Sequence, residues 1–149
     1  MTDVDLVLTE DEVNPRGVLD TSVLIAGVGP LPGELAVSAV SIAELHFGVL
    51  VARTGAERAE RLRRLTEVER RFDALPVDEA VAASYGELAA AVVQAGRQPR
   101  ARSMDLLIAA TARAHGAALY TKNTADFRGL FHLVQVVGVV GRPNGDPAG

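Results

Sequence analysis

The stretch Gly17-Val18-Leu19-Asp20-Thr21-Ser22-Val23-Leu24-Ile25-Ala26 reads as a short buried strand that turns directly into a helix. Residues 17–20 are the strand, apolar until Asp20. Asp20, Thr21 and Ser22 then offer N-caps ahead of Val23-Leu24-Ile25-Ala26. A strand that feeds a helix in this way is the first half of a crossover unit, and the rest of the chain repeats the alternation. Gly27, Gly29, Pro30, Pro32 and Gly33 form a loop, and Leu35 to Ser38 is a second strand. Ser38 or Ser41 caps the helix that runs to about Val51.

Further on, Thr54 to Phe72 is a charged helix with Leu62, Leu65, Val68 and Phe72 as its apolar stripe. Leu75-Pro76-Val77 is a short strand or link. Asp78 caps an alanine-rich helix that closes at Gly96. A loop with Arg97, Arg100 and Arg102 leads to Ser103, read as the cap of a helix ending near His115. Ala117 to Thr121 and Val134 to Val140 are the last strands. Short apolar strands alternating with helices predict an α/β fold: a mostly parallel sheet covered on both faces. Such sheets bind ligands at the carboxyl ends of their strands. Residues 1–14 read as an acidic N-terminal extension, 15–140 as the domain, and 141–149 as a flexible tail.

Four carboxylates stand out against this frame. Asp20 closes an apolar strand. Glu44 interrupts a helix that is apolar nearly all round. Asp105 heads the apolar stripe Ile108, Ala109, Ala112, and Asp126 follows the segment Tyr120-Thr121-Lys122-Asn123. Burying a carboxylate costs several kcal/mol unless something positive pairs with it. No Lys or Arg lies within three positions of Asp20 or Glu44. Each acid also has an ordinary structural role open to it. Asp20 suits a helix cap, Asp105 a first helical turn, Asp126 a turn, and Glu44 a long reach to solvent or a distant Arg. As a set they suit one divalent cation, and an all-oxygen site suits Mg²⁺ or Mn²⁺ rather than zinc. Such a site points to phosphodiester chemistry.

Other chemistries find little support. There is no cysteine, so no thiolate nucleophile, thiolate metal site or disulfide. No Gly-x-Ser-x-Gly elbow and no Gly-rich phosphate loop occurs. His46, His115 and His132 lack the paired spacing of a zinc site and are read as structural or surface residues. The net charge of -4 hides an asymmetry: residues 1–14 carry five acids and no base, while the remainder holds 15 basic and 14 acidic side chains. No broad basic field is present, so any RNA contact would rest on local arginines, with Arg97, Arg100 and Arg102 as the candidates. No basic-then-apolar leader opens the sequence and no apolar run reaches ~18 residues, so the expectation is a soluble cytoplasmic protein with no membrane contact.

Four blocks now carry a family resemblance. Val18-Leu19-Asp20-Thr21-Ser22-Val23-Leu24-Ile25 resembles the opening of PIN-domain nucleases. So do Ser38-Ala39-Val40-Ser41-Ile42-Ala43-Glu44-Leu45 with Gly48, and Asp105-Leu106-Leu107-Ile108-Ala109-Ala110-Thr111-Ala112 with Gly116. Leu119-Tyr120-Thr121-Lys122-Asn123 followed by Asp126-Phe127 completes the set, in the family's order. The sequence is similar to the VapC-like toxins of bacterial type II toxin–antitoxin modules. The resemblance implies a three-layer α/β/α sandwich and metal-dependent endoribonuclease activity. It implies that Asp20, Glu44, Asp105 and Asp126 are the catalytic acids, with Asp20 and Asp105 as direct metal ligands. It implies that Thr21 or Ser22, and Asn123, are the supporting polar positions. It also implies Mg²⁺ (or Mn²⁺) as cofactor, a homodimer, RNA as substrate and an antitoxin protein as partner. The acidic extension departs from that pattern.

Two rival readings remain at this stage. One is a non-catalytic antitoxin- or RNA-binding protein on the same fold. The other is a phosphoryl-accepting receiver domain, suggested by Asp20, Thr121 and Lys122. A receiver needs an acceptor Asp after a central strand, and residues 35–38 end in Ser38 instead.

Overall fold

The computed structural model describes residues 14–27 and 29–140. The acidic stretch 1–13 and the tail 141–149 lie outside the described residues. Five strands alternate with helices: β1 (Arg16–Leu19), α1 (Thr21–Ala26), β2 (Glu34–Ser38), α2 (Ala39–Leu50), α3 (Gly55–Arg71), β3 (Ala74–Leu75), α4 (Glu79–Gln94), α5 (Ser103–Ala114), β4 (Ala118–Thr121) and β5 (Val136–Gly138). Two 3₁₀ turns, Pro99–Arg102 and Thr124–Phe127, precede α5 and follow β4.

The strands form one sheet in the order β3-β2-β1-β4-β5, and every pairing is parallel. Side chains alternate between the two faces of a strand, so each strand feeds two cores. On one face Val18 and Leu119 pack with α4 and α5 through Val81, Leu88, Leu106, Ile108 and Ala109. On the other, Leu19, Ala118 and Tyr120 pack with α1, α2 and α3 through Val23, Leu45, Leu65 and Val68. The result is the three-layer α/β/α sandwich.

Local chemistry explains most of the boundaries. The Asp20 side chain accepts from the Thr21 N–H and caps α1. Ser38, not Ser41, caps α2 by accepting from the Val40 N–H. Thr54 and Asp78 cap α3 and α4 in the same manner. Gly96 takes a positive φ of 78° just past α4, a conformation open to glycine at little steric cost.

Three expectations are corrected. Ser103 is not a cap: it is the first residue of α5, and its hydroxyl donates to the Arg100 carbonyl. The arginine segment is not an open loop, because Pro99 starts a 3₁₀ turn that runs straight into α5. The last strand is shorter than its apolar run. The Leu133 and Val134 N–H groups donate to the Leu130 carbonyl, so that backbone closes a turn instead of joining the ladder.

Gly17 is fixed by its neighbour across the sheet. A Cβ there would lie 2.5 Å from Tyr120 Cε2 and 3.0 Å from Leu35 Cδ2. Tyr120 is 1% exposed and has nowhere to swing. Gly17→Ala is therefore expected to cost about 1–3 kcal/mol, read as a lower urea midpoint. Gly86→Ala, at an exposed helix position where a Cβ meets nothing, should instead gain about 0.5–1 kcal/mol. Equal midpoints for the two variants would refute the account.

Candidate active site

The sheet order reverses between β1 and β4, where successive connections leave in opposite directions. In an open α/β sheet that point is a crevice at the carboxyl ends of the strands. Asp20 directly follows β1, and its N–H donates to the Tyr120 carbonyl at 2.9 Å, tying the two strand ends together. Thr121 ends β4, and Asp126 sits on the 3₁₀ turn just beyond. Glu44 comes from α2, which starts at the end of β2, and Asp105 from the first turn of α5. Residues far apart in sequence thus meet at one rim.

Asp20 is 5% exposed and is held by three donors. Its Oδ1 accepts from the Thr21 N–H at 2.8 Å. Its Oδ2 accepts from Ser22 Oγ at 2.9 Å and Thr121 Oγ1 at 2.7 Å. The hydroxyl protons are committed to that direction. Ser22 Oγ accepts from the Lys122 N–H and Thr121 Oγ1 accepts from the Asn123 N–H, so each hydroxyl has its own proton left for Asp20. The capping role and the site role of Asp20 are the same geometry.

Glu44 is held by a second hydroxyl chain. Thr21 Oγ1 donates to Glu44 Oε1 at 2.7 Å and lies 2.8 Å from Ser41 Oγ. A hydroxyl has one proton, and here it faces the carboxylate, so Ser41 donates to Thr21. Asp126 is held differently: Arg102 Nη2 donates to its Oδ1 at 3.1 Å, and Arg102 Nη1 donates to its main-chain carbonyl.

Asp105 reports that the acids share one opening. Burial pushes its carboxyl above the usual aspartate range, and the charges of Asp20, Asp126 and Glu44 push the same way. Arg102 pulls it back. Among the described residues no three His, Cys, Asp or Glu side chains form a ready-made metal-holding group. Asp20, Asp126 and Glu44 each act on Asp105 across a common space without forming a closed cage. Their donor chemistry, carboxylate oxygens backed by hydroxyls with no nitrogen or sulfur ligand, fits a hard cation such as Mg²⁺ or Mn²⁺.

The remaining sequence candidates fall around this rim. Thr21 and Ser22 both act, one on Glu44 and the other on Asp20. Asn123 contributes its backbone N–H to Thr121. Arg97 and Arg100 are exposed, whereas Arg102 is turned onto Asp126. His46 lies 3.8 Å from Glu69, and His132 is exposed. The His115 carbonyl accepts from Arg16. Two residues were missed from the sequence as site groups, Ser41 and Thr121. Ser41 lies one helical turn before Glu44, and Thr121 ends the strand paired with β1; both signals were present in the spacing.

Fold and site together define a parallel α/β domain with an acidic, hydroxyl-lined opening at its switch point. The chain belongs to the PIN domain family, which matches residues 17–130. It is 41% identical over 110 residues to Ribonuclease VapC8 of Mycobacterium tuberculosis, covering 70% of this chain and 96% of that protein. It is 38% identical over 121 residues to Ribonuclease VapC5 of the same species, covering 76% and 87%. Among solved structures, VapBC-5 from M. tuberculosis, a member of the VapBC family of toxin–antitoxin systems, superposes with a TM-score of 0.73 at 37% identity. That match covers 83% of this chain and 96% of the other.

The raised Asp105 carboxyl sets a pH dependence. The folded protein holds this proton to higher pH than the unfolded chain, so stability falls as pH rises from the ordinary aspartate range through the raised value. Above that window the loss is complete. In chelator, Asp105→Asn is expected to abolish this slope and to melt higher than the parent at neutral pH. Thermal unfolding from pH 4 to pH 7 measures it; parallel curves for both proteins would remove Asp105 from the acidic group.

Proposed function

We propose that this protein is a metal-dependent endoribonuclease and the toxin half of a toxin–antitoxin pair. The observation that carries the chemistry is that the charges of Asp20, Asp126 and Glu44 all reach the half-buried Asp105 at one strand-end opening. The names of the relatives, ribonucleases and a toxin–antitoxin complex, support the biological role.

Asp20 and Asp105 would hold the cation. When bound, Mg²⁺ or Mn²⁺ lowers the pKa of an attached water and offsets charge on a scissile phosphate. The protein's own contribution is orientation. The Ser22 and Thr121 hydroxyls and the Thr21 N–H fix both oxygens of Asp20. Thr21 fixes one oxygen of Glu44, leaving the other to accept a proton from the attacking water. Hydrolysis would form a bond from that water to phosphorus and break one bridging P–O bond, the water's proton passing to Glu44 and the leaving oxygen taking a proton from solvent.

Arg97 and Arg100 stand exposed ahead of α5 and suit the flanking phosphates. A protein partner is supported by exposed apolar side chains on α2 and on α3 packed against it: Phe47 (66%), Leu50 (72%), Val51 just past α2 (48%) and Leu62 (50%). An antitoxin segment with an apolar face would cover them.

With Mn²⁺, the purified protein is expected to cleave RNA, and Asp20→Asn to lower the rate by at least about 100-fold. Saturating Mn²⁺ should raise the melting temperature of the parent and leave that of the variant unmoved. Cleavage undiminished in the variant would disprove the site; antitoxin binding with no cleavage by either protein would leave a binding protein on this fold. Arg97→Ala with Arg100→Ala should weaken RNA binding and flatten its salt dependence by about two counterions, with little change in stability.

A further inference from the structure

Arg102 is set apart from the other arginines of its segment. It is the last residue of the 3₁₀ turn Pro99–Arg102 and occupies the N-cap position of α5, three residues before Asp105. Its side chain is 31% exposed. Its two terminal nitrogens grip a single residue, Nη1 on the main-chain carbonyl of Asp126 and Nη2 on Asp126 Oδ1. The carbonyl contact matters as much as the ion pair. It fixes the backbone of the 3₁₀ turn Thr124–Phe127 against the start of α5, and so fixes where the Asp126 carboxylate can reach. Phe127, the next residue, is 1% exposed and anchors that turn from below. A planar guanidinium suits this two-point grip, whereas an ammonium is a point charge.

Arg102 also faces the acidic opening. Among the described residues, the charged groups that act on Asp105 are three acids and one cation, Arg102. A phosphate ligand would be expected to present its guanidinium to solvent; this one is spent on the protein.

We propose that Arg102 is a positioning residue and built-in counter-ion of the site, holding Asp126 in place and competing with a bound cation for the field of the carboxylates. The inference rests on the nuclease reading above and deepens it. Asp126 is then a pinned acid: one oxygen is committed to Arg102, and the other is left for water or phosphate. The protein's cation affinity is set below what its acids alone would give, in exchange for a fixed fourth acid.

Mn²⁺ binding to the full chain, followed by the paramagnetic resonance of free Mn²⁺, tests this without reference to activity. Arg102→Gln is expected to bind Mn²⁺ about tenfold more tightly than the parent, since one nearby positive charge is gone and Asp126 is released. Its RNA cleavage should nonetheless fall about 10–100-fold, because Asp126 is no longer held. Arg102→Lys keeps the charge and loses the fork, so Mn²⁺ affinity should stay within about twofold of the parent while cleavage still falls. In an Asp126→Asn background, Arg102→Gln should tighten Mn²⁺ markedly less than in the parent, the sign of a residue acting through another. RNA affinity in chelator should be the same for parent and Arg102→Gln. Unchanged Mn²⁺ affinity with weakened RNA binding in Arg102→Gln would overturn the proposal and make Arg102 an RNA contact. Absence of both Mn²⁺ binding and cleavage in the parent would overturn the nuclease reading itself.

Discussion

The pairing of β1 with β4 sets the position of everything else. The two strands are separated by about two-thirds of the chain, yet Leu19 stands beside Tyr120 and the Asp20 N–H bonds to the Tyr120 carbonyl. That register aligns the two carboxyl ends to within one residue. A one-residue slip would turn every side chain of the strand to the other face. Tyr120 guards against it, because its ring fills the space over Gly17 on the same side of the sheet. With the register fixed, Thr121 reaches Asp20, Ser22 reaches the Lys122 N–H, and the turn carrying Asp126 starts at the rim. The site follows from a strand pairing.

That pairing brings like charges together, which opposes folding. Coulomb repulsion between carboxylates is stronger at a half-buried rim than in water. The structure limits the cost in two ways. Neutral hydroxyls and backbone N–H groups satisfy Asp20 and Glu44 without cancelling their charge. Arg102 cancels part of the charge around Asp126 and Asp105. Asp105 is left with burial and three acidic neighbours, and its carboxyl is the one displaced upward. Strain of this kind is common where a binding site is built into a stable domain.

The alternation of strand and helix was legible because buried parallel strands are short apolar runs and each helix starts at a capping side chain. Asp20, Ser38, Thr54 and Asp78 all cap as their identities suggest. Ser103 failed as a cap because a proline-initiated turn leads into α5 without the extended residue that a cap requires. Val134 to Val140 looked like one strand, yet the strand itself is Val136–Gly138, and at its start the Val134 N–H is claimed by the preceding turn, which an apolar pattern does not reveal. At the site, the acids were visible by their odd surroundings. The hydroxyl chain from Ser41 through Thr21 to Glu44, and the grip of Arg102 on Asp126, depend on contacts 20 to 24 positions apart and have no local signature.

The four acids differ in what holds each one. Asp20 has both oxygens fixed by uncharged donors, so it keeps its full charge and one orientation. Glu44 has one oxygen fixed by an uncharged donor and keeps a second for exchange. Asp126 is fixed by a cation, which holds it firmly but discounts its charge. Asp105 has no hydrogen-bond donor of its own among the described residues, and burial, with its acidic neighbours, pushes its carboxyl up. A cation arriving at this rim would gain most from Asp20, which is already aimed, and from Asp105, whose repulsion it relieves. It would gain least from Asp126, where a guanidinium stands first. The four acids thus differ in what holds each one before any ion is bound.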